Sequence, residues 1–215
     1  MLDLLLPRRC LVCRVPGALL CARCSDALPA LRPPLCACCG APVAWPVERC
    51  RECAGRRLAF VSARAAVPYD DDVRRFVRLW KERGLRSLAE AAADIVSERV
   101  PRPSAEVVTF VPPDRWRARA RGHHPAERLA RALARRWELP CRPLLRAAPA
   151  QRQRGLSRAQ RQRRPGFSAF AAAGDAVLVD DVYTTGATVD AAARALRTRV
   201  EVVTFARTIR RGGDA

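Results

Sequence analysis

The chain has 215 residues, 49% of them hydrophobic and only 6% aromatic, with a formal net charge of +19. That length gives room for one ordinary domain and a small appendage, with a core resting on Ala, Val and Leu. No apolar run approaches ~20 residues, so no membrane span is expected. Met1-Leu-Asp-Leu-Leu-Leu6 is too short and too soon acidic for a secretory signal, which favours a cytoplasmic protein. The hexapeptide reads as a hydrophobic anchor on the folded body.

The charge is uneven. Residues 114–164 hold sixteen arginines against three acids, and residues 1–57 nine against four; residues 58–113 and 165–215 are close to neutral. Such a block suits polyanions, whether nucleic acid or a phosphate-rich substrate. Lys81 is the only lysine, so part of the arginine content reads as compositional bias and a solvated face.

Nine of the ten cysteines lie between positions 10 and 53, as Cys10-x2-Cys13, Cys21-x2-Cys24, Cys36-x2-Cys39 and Cys50-x2-Cys53. Two thiolates at i and i+3 on a tight knuckle bind one face of a Zn²⁺ ion, and two knuckles close a structural site. Eight ligands imply two zinc ions. The simplest pairing puts Cys10, Cys13, Cys21 and Cys24 on one ion and Cys36, Cys39, Cys50 and Cys53 on the other. The short interval between Cys13 and Cys21 leaves an interleaved pairing open. Cys38 exceeds the pattern and can compete as a ligand, while Cys141 reads as a buried small apolar residue. A disulfide framework fits poorly without a secretory signal. Zinc would stabilise a segment of ~50 residues too small to fold well alone. A boundary near Arg57 separates this module, residues 1–57, from a second domain, residues 58–215.

Phe60 to Val67 then reads as a strand, followed by the turn Pro68-Tyr-Asp-Asp71. Val73 to Glu82 has helical periodicity through Val73, Phe76, Val77 and Trp80. Gly84 ends it and Ser87 can cap a second helix, Leu88 to Arg99. Glu106 to Val111 is a strand ending at Pro112-Pro113-Asp114. A basic stretch from Arg115 to Arg121 leads through Gly122 to a helix, Pro125 to Trp137. Arg142 to Pro165 lacks periodicity and reads as a mobile basic loop or hood. Val200 to Arg207 forms a last strand. The alternation of strand and helix predicts an α/β fold, a parallel sheet with helices on both faces.

The most informative stretch runs from Ala176 to Val189. Ala176 to Val179 is a short apolar run that suits a buried strand. Asp180 and Asp181 follow at its end, then Thr184-Thr185-Gly186-Ala187-Thr188, and a helix to about Arg197. Gly186 lets the backbone approach a ligand closely. Free amides at the helix start and the threonine hydroxyls can hold a phosphate. The carboxylates are acceptors only, so they suit sugar hydroxyls or a metal-bound ligand. Ligands of parallel sheets bind beyond the carboxyl ends of the strands, where this pair would sit.

The stretch resembles the phosphoribosyl pyrophosphate (PRPP) signature of type I phosphoribosyltransferases. Paired cysteine knuckles, Leu79-Trp-Lys-Glu-Arg-Gly84, Arg121-Gly-His-His-Pro-Ala-Glu127, Gly155-Leu-Ser-Arg-Ala-Gln160 and this signature occur in one order. Together they resemble the ComF family of competence-associated phosphoribosyltransferase-like proteins over almost the full length. The resemblance implies an amino-terminal zinc module, a type I phosphoribosyltransferase domain, and a link to uptake of single-stranded DNA. It implies that Asp180 and Asp181 contact the ribose hydroxyls with Mg²⁺ nearby. Thr184, Thr185, Gly186, Ala187 and Thr188 would cradle the 5′-phosphate. Lys81, Arg83 and the backbone near Pro112 and Pro113 would be available to pyrophosphate.

The chain departs from the family at His123-His124-Pro125, where Phe-Asn-Gln is usual, and at Arg164, where asparagine is common. Both departures fall on the acceptor side. Thr184 stands where purine phosphoribosyltransferases carry an aspartate base, which argues against a purine acceptor. His124 and Glu127 are base candidates by location. The alternative function is a non-catalytic module whose arginines track single-stranded DNA, or whose zinc module docks a protein such as a competence helicase. Only Trp116 and Trp137 offer stacking platforms within residues 114–164.

Overall fold

Beyond the cysteine-rich segment, four strands form an all-parallel sheet and two three-residue strands pair antiparallel beside it. The computed structural model describes residues 9–83, 86–113, 123–148, 166–171 and 174–209; the side chains of residues 82, 83 and 86 are not included. After a short helix α1 (Ala22–Asp26), the elements are β1 (Ser62–Pro68), α2 (Asp71–Arg83), α3 (Arg86–Arg99) and β2 (Val107–Phe110). There follow α4 (Pro125–Trp137), β3 (Leu145–Ala147), β4 (Phe167–Ala169), β5 (Ala176–Tyr183), α5 (Ala187–Leu196) and β6 (Val200–Arg207). The main sheet has the order β1-β6-β5-β2.

Alternation along the inner strands sorts two apolar cores, one on each face. Val177 and Val179 of β5 and Val203 and Phe205 of β6 pack with α2, α3 and α4. Ala176 and Leu178, with Val200 and Val202, pack with α5 and with Cys36, Cys39 and Cys53. Helices therefore cover both faces, as the alternation predicts. Each half of the cysteine-rich segment joins a different core: Cys10, Leu20, Cys24 and Leu28 belong to the first.

The helices follow from local chemistry. Asp70 accepts from the Val73 amide at 2.9 Å, and Asp71 and Asp72 occupy the first turn of α2, so three carboxylates meet its positive end. His124 caps α4 by accepting from the Glu127 amide at 3.1 Å, and Pro125 takes the first helical position. The helix begins and ends where the sequence places it, burying Leu129, Leu133 and Trp137.

Four expectations need correction. β5 runs on to Tyr183, because its ladder with β6 continues through Asp180↔Thr204, Val182↔Ala206 and Tyr183↔Arg207. The acidic pair therefore lies within the strand, past the point where β2 has ended. Ser87 sits inside the first turn of α3, one residue after its start, and is not its cap. Two strand limits move by a residue or two, to Ser62–Pro68 and Val107–Phe110. Finally, Arg142 to Pro165 is not wholly irregular. Leu145–Ala147 pairs antiparallel with Phe167–Ala169, a partner twenty residues away, and three residues are too few to display a period.

The anchor at Met1 to Leu6, Gly84, the basic stretch Arg115 to Arg121 with Gly122, and the segment from Gln151 to Pro165, including Gly155 to Gln160 and Arg164, lie outside the described residues. So does the Arg83 side chain. Among the described residues no helix is long and apolar enough to cross a membrane.

Candidate functional site

The site grows from the carboxyl end of β5. β2 stays in register with β5 as far as Phe110↔Val179, and the Val111 amide donates to the Val179 carbonyl at 3.0 Å. Beyond this β2 gives way to Pro112 and Pro113, while β5 continues beside β6, its one partner there among the described residues. Asp180 and Asp181 lie at that parting of strands, the position where parallel sheets open a crevice.

Both carboxylates are partly exposed. The Asp180 Oδ1 accepts from the Asp181 amide at 2.9 Å, and Lys81 Nζ of α2 reaches Asp181 Oδ1 at 2.9 Å. Crowding by the surrounding protein and the neighbouring Asp181 charge push the Asp180 carboxyl up to about 8, against the pull of the Asp181 amide and of Lys81. Thus one lysine serves two adjoining acids. A divalent cation fits this oxygen donor set by charge and hardness.

The loop after β5 is held from several sides. Thr208 donates from its amide to the Tyr183 carbonyl at 2.9 Å and from its hydroxyl to the Thr184 carbonyl at 3.1 Å. Thr184, Thr185 and Thr188 are exposed; Ala187 is partly so. Gly186 is buried at φ 74, in the left-handed region, and stands at the N-cap of α5. A methyl group there would strike the phenol oxygen of Tyr183, which packs directly beneath. Gly186 brings no capping side chain of its own, and the Thr185 hydroxyl accepts from the Ala187 amide at 3.4 Å, at the start of α5.

Four residues central to this arrangement escaped the sequence reading. Arg56 donates from Nη1 to the Thr185 carbonyl at 2.7 Å. Arg207 is 1% exposed; it donates to the Cys39 carbonyl and, at 2.8 Å, to Glu52, and its guanidinium lies 4.9 Å from the centre of the Tyr183 ring. Asp190 is 2% exposed in α5 and accepts from the Ala59 amide at 2.8 Å and from Arg194. Asp190 leaves a trace in the sequence, as a carboxylate between the buried positions Val189 and Ala192. So does Arg207, as a charge closing an apolar strand. Arg56 and Tyr183 leave none.

His124 and Glu127 are engaged locally. His124 Nδ1 caps α4, and Glu127 takes Nε and Nη2 of Arg131 at 3.0 and 2.8 Å. On the same helix Arg135 reaches Glu90 and Arg136 reaches Glu90 and Asp94. These arginines of the basic block are balanced within the chain.

The cysteines form two clusters, Cys10, Cys13, Cys21, Cys24 and Cys36, Cys39, Cys50, Cys53, with all sulfurs in each cluster within 4.8 Å of one another. This is the sequential pairing. Sulfur separations of 3.6 Å (Cys13–Cys21), 3.6 Å (Cys36–Cys53), 3.4 Å (Cys39–Cys50) and 3.9 Å (Cys50–Cys53) match the roughly 3.8 Å edge of a tetrahedron with Zn–S near 2.3 Å. Burial opposes charge on Cys36, yet the amides of Cys39 and Cys50 and the Cys53 thiol bring it down to about 7. Burial, offset in part by the Ala41 amide, and the Cys50 thiol push Cys39 up to about 11. A divalent ion removes this conflict by favouring all four thiolates. Cys38 stays out of both clusters and is buried.

The cysteine-rich segment is a zinc-ribbon module. Residues 1–54 match the double zinc ribbon domain family. No curated protein sequence matches the chain. Among solved structures, the chain is similar to orotate phosphoribosyltransferase from Aeropyrum pernix, at 22% identity and TM-score 0.35, over 61% of this chain and 63% of that one. It is also similar to purine phosphoribosyltransferase from Pyrococcus horikoshii Ot3, at 16% identity and TM-score 0.33, over 54% of this chain and 81% of that one. The chain thus spans less than two thirds of the orotate enzyme's length.

Proposed function

We propose that this protein binds PRPP and acts as a phosphoribosyltransferase of the ComF type, with its zinc ribbons as structural supports. The observation that carries the reading is the run of chemistry at one strand end. Two carboxylates where β2 and β5 part, a threonine-glycine loop, and a helix start capped by glycine follow one another within nine residues, Asp180 to Thr188.

In this reading the loop from Thr184 to Thr188 holds the 5′-phosphate with hydroxyls and first-turn amides. Asp180 and Asp181 accept hydrogen bonds from the ribose hydroxyls. Lys81 is long and flexible enough to exchange Asp181 for a pyrophosphate oxygen when the ligand arrives. Arg83, at the end of the same helix, joins it as a second cation. Mg²⁺, held with PRPP beside the two carboxylates, would supply positive charge to the departing pyrophosphate. The reaction is displacement of pyrophosphate from ribose C1 through an oxocarbenium-like transition state, favoured by rigid placement of phosphate and ribose. The ComF resemblance supports reading this chemistry as linked to DNA uptake, with single-stranded DNA or a competence helicase as further partners of a cytoplasmic protein.

A thermal-shift panel with PRPP, pyrophosphate and nucleotides, with and without Mg²⁺, tests the reading. PRPP with Mg²⁺ is expected to raise the midpoint more than nucleotides do. Equal shifts from every phosphate compound would mark a nonspecific anion effect and overturn it.

A further inference from the structure

Both knuckles of the second ribbon reach the loop after β5, by separate routes. From the Cys50–Cys53 knuckle comes Arg56. Its main chain is fixed on both sides: the Arg56 amide donates to the Cys53 carbonyl at 3.2 Å, and its own carbonyl accepts from Arg49 at 2.8 Å. Its guanidinium then crosses to the Thr185 carbonyl at 2.7 Å. From the Cys36–Cys39 knuckle comes the Cys39 carbonyl, which accepts from buried Arg207. Arg207 lies against the Tyr183 ring, and the Tyr183 phenol supports Gly186 from below. The knuckle itself is seated on the sheet, since the Ala63 amide of β1 donates to the Cys38 carbonyl at 2.8 Å.

The Arg56 contact has a directional consequence. Across a planar trans peptide, the carbonyl of one residue and the amide N–H of the next point in opposite directions. Holding the Thr185 carbonyl toward the ribbon therefore turns the Gly186 N–H away from it. The Gly186 carbonyl is meanwhile engaged by the Asp190 amide at 2.9 Å, at the first turn of α5. The two peptides that flank Gly186 are thus each held at their carbonyl before any ligand arrives.

We propose that Arg56 is a positioning residue for the loop Thr184–Thr188: it clamps the Thr185 carbonyl so that the Gly186 amide faces a bound phosphate, and so links metal occupancy of the second ribbon to capture of a ribose 5-phosphate group. This rests on the phosphoribosyl reading above for the identity of the ligand. The ribbon is then part of the site's framework, and the cluster Cys36, Cys39, Cys50 and Cys53 sets the position from which Arg56 reaches.

The test uses the full chain with Arg56→Ala and Arg56→Lys, both checked for two zinc ions per chain, as the two cysteine clusters require. Hydrogen exchange of the peptide spanning residues 183–188 reads the loop without ligand. Titration with ribose 5-phosphate, and separately with inorganic pyrophosphate, reads the site. In Arg56→Ala, loop exchange is expected to rise and ribose 5-phosphate affinity to fall, each by about tenfold, the scale of one charge-assisted hydrogen bond. Pyrophosphate affinity should hold, and Arg56→Lys should recover part of both losses. Unchanged exchange and affinity in zinc-replete Arg56→Ala would overturn the positioning role while leaving the phosphoribosyl reading in place. Failure of the unaltered protein to bind ribose 5-phosphate would overturn both.

Discussion

Lys81 Nζ lies 2.9 Å from Oδ1 of Asp181, with 28% of the lysine side chain and 13% of the aspartate exposed. It is the single lysine among forty basic residues. An ammonium suits an exchangeable contact, since it is a compact charge on a flexible stem. Lys81→Met would leave two adjacent carboxylates without that cation. A stability loss of about 1–3 kcal/mol is expected, read from the urea midpoint. Pyrophosphate affinity should fall with it. An unchanged midpoint and affinity would show that the pair contributes nothing.

Asp180 makes stability depend on pH in the sense opposite to most aspartates. Burial and the Asp181 charge raise its folded-state value to about 8, whereas the unfolded chain has the ordinary 3.8. The folded state therefore binds more protons between those two values, and stability declines as pH rises through that window. Asp180→Asn removes the effect, and its Oδ1 can still accept from the Asp181 amide. The variant should match the parent near pH 4 and exceed it by several degrees in Tm, roughly 2–4 °C per kcal/mol, at pH 8 and above. Equal melting curves at pH 8.5 would contradict the assignment.

The parts of the fold visible in the sequence are those fixed by local chemistry. Val200–Arg207 and Pro125–Trp137 stand where they were expected, because a β-branched run and a proline-led amphipathic helix declare themselves over neighbouring residues. The cysteine knuckles fixed two four-sulfur clusters, but the choice of sequential pairing needed three dimensions. Thr184 to Thr188 were legible as a loop and helix start. What holds that loop was not. Arg56 and Thr185 are 129 positions apart, and Arg207 and Cys39 168, so no window of sequence contains either contact. Likewise β3 could not be seen without β4, since each is only three residues long.

The two metal clusters should differ in what they support. Cys53 is fully buried in the core shared with the sheet, whereas Cys13 is exposed at the edge of the first ribbon. Cys53→Ser and Cys13→Ser should each reduce zinc from two ions per chain to one. The Cys53 variant should lose more stability, with Tm lower by on the order of 10 °C, because the sheet face loses its cover along with the ion. Metal analysis and calorimetry on the same samples check this. A larger loss from Cys13→Ser would contradict the packing argument.

Gly186→Ala probes the loop from below. Its φ of 74 is costly for alanine, and the added methyl meets the Tyr183 phenol. A loss of more than about 1 kcal/mol is expected from the backbone alone. Gly186→Ala with Tyr183→Phe removes the oxygen and should recover part of the loss. No recovery would place the penalty in the backbone and the ring carbons, which the added methyl still meets.

The most direct measurement is calorimetric titration of PRPP, with and without Mg²⁺, into the unaltered protein and into Asp180→Asn with Asp181→Asn. The expected result is Mg²⁺-dependent saturable binding to the unaltered chain, abolished in the double variant while its zinc content and fold persist. Binding of equal strength in both proteins, or none in either, would contradict the claim that this strand end grips an activated ribose phosphate.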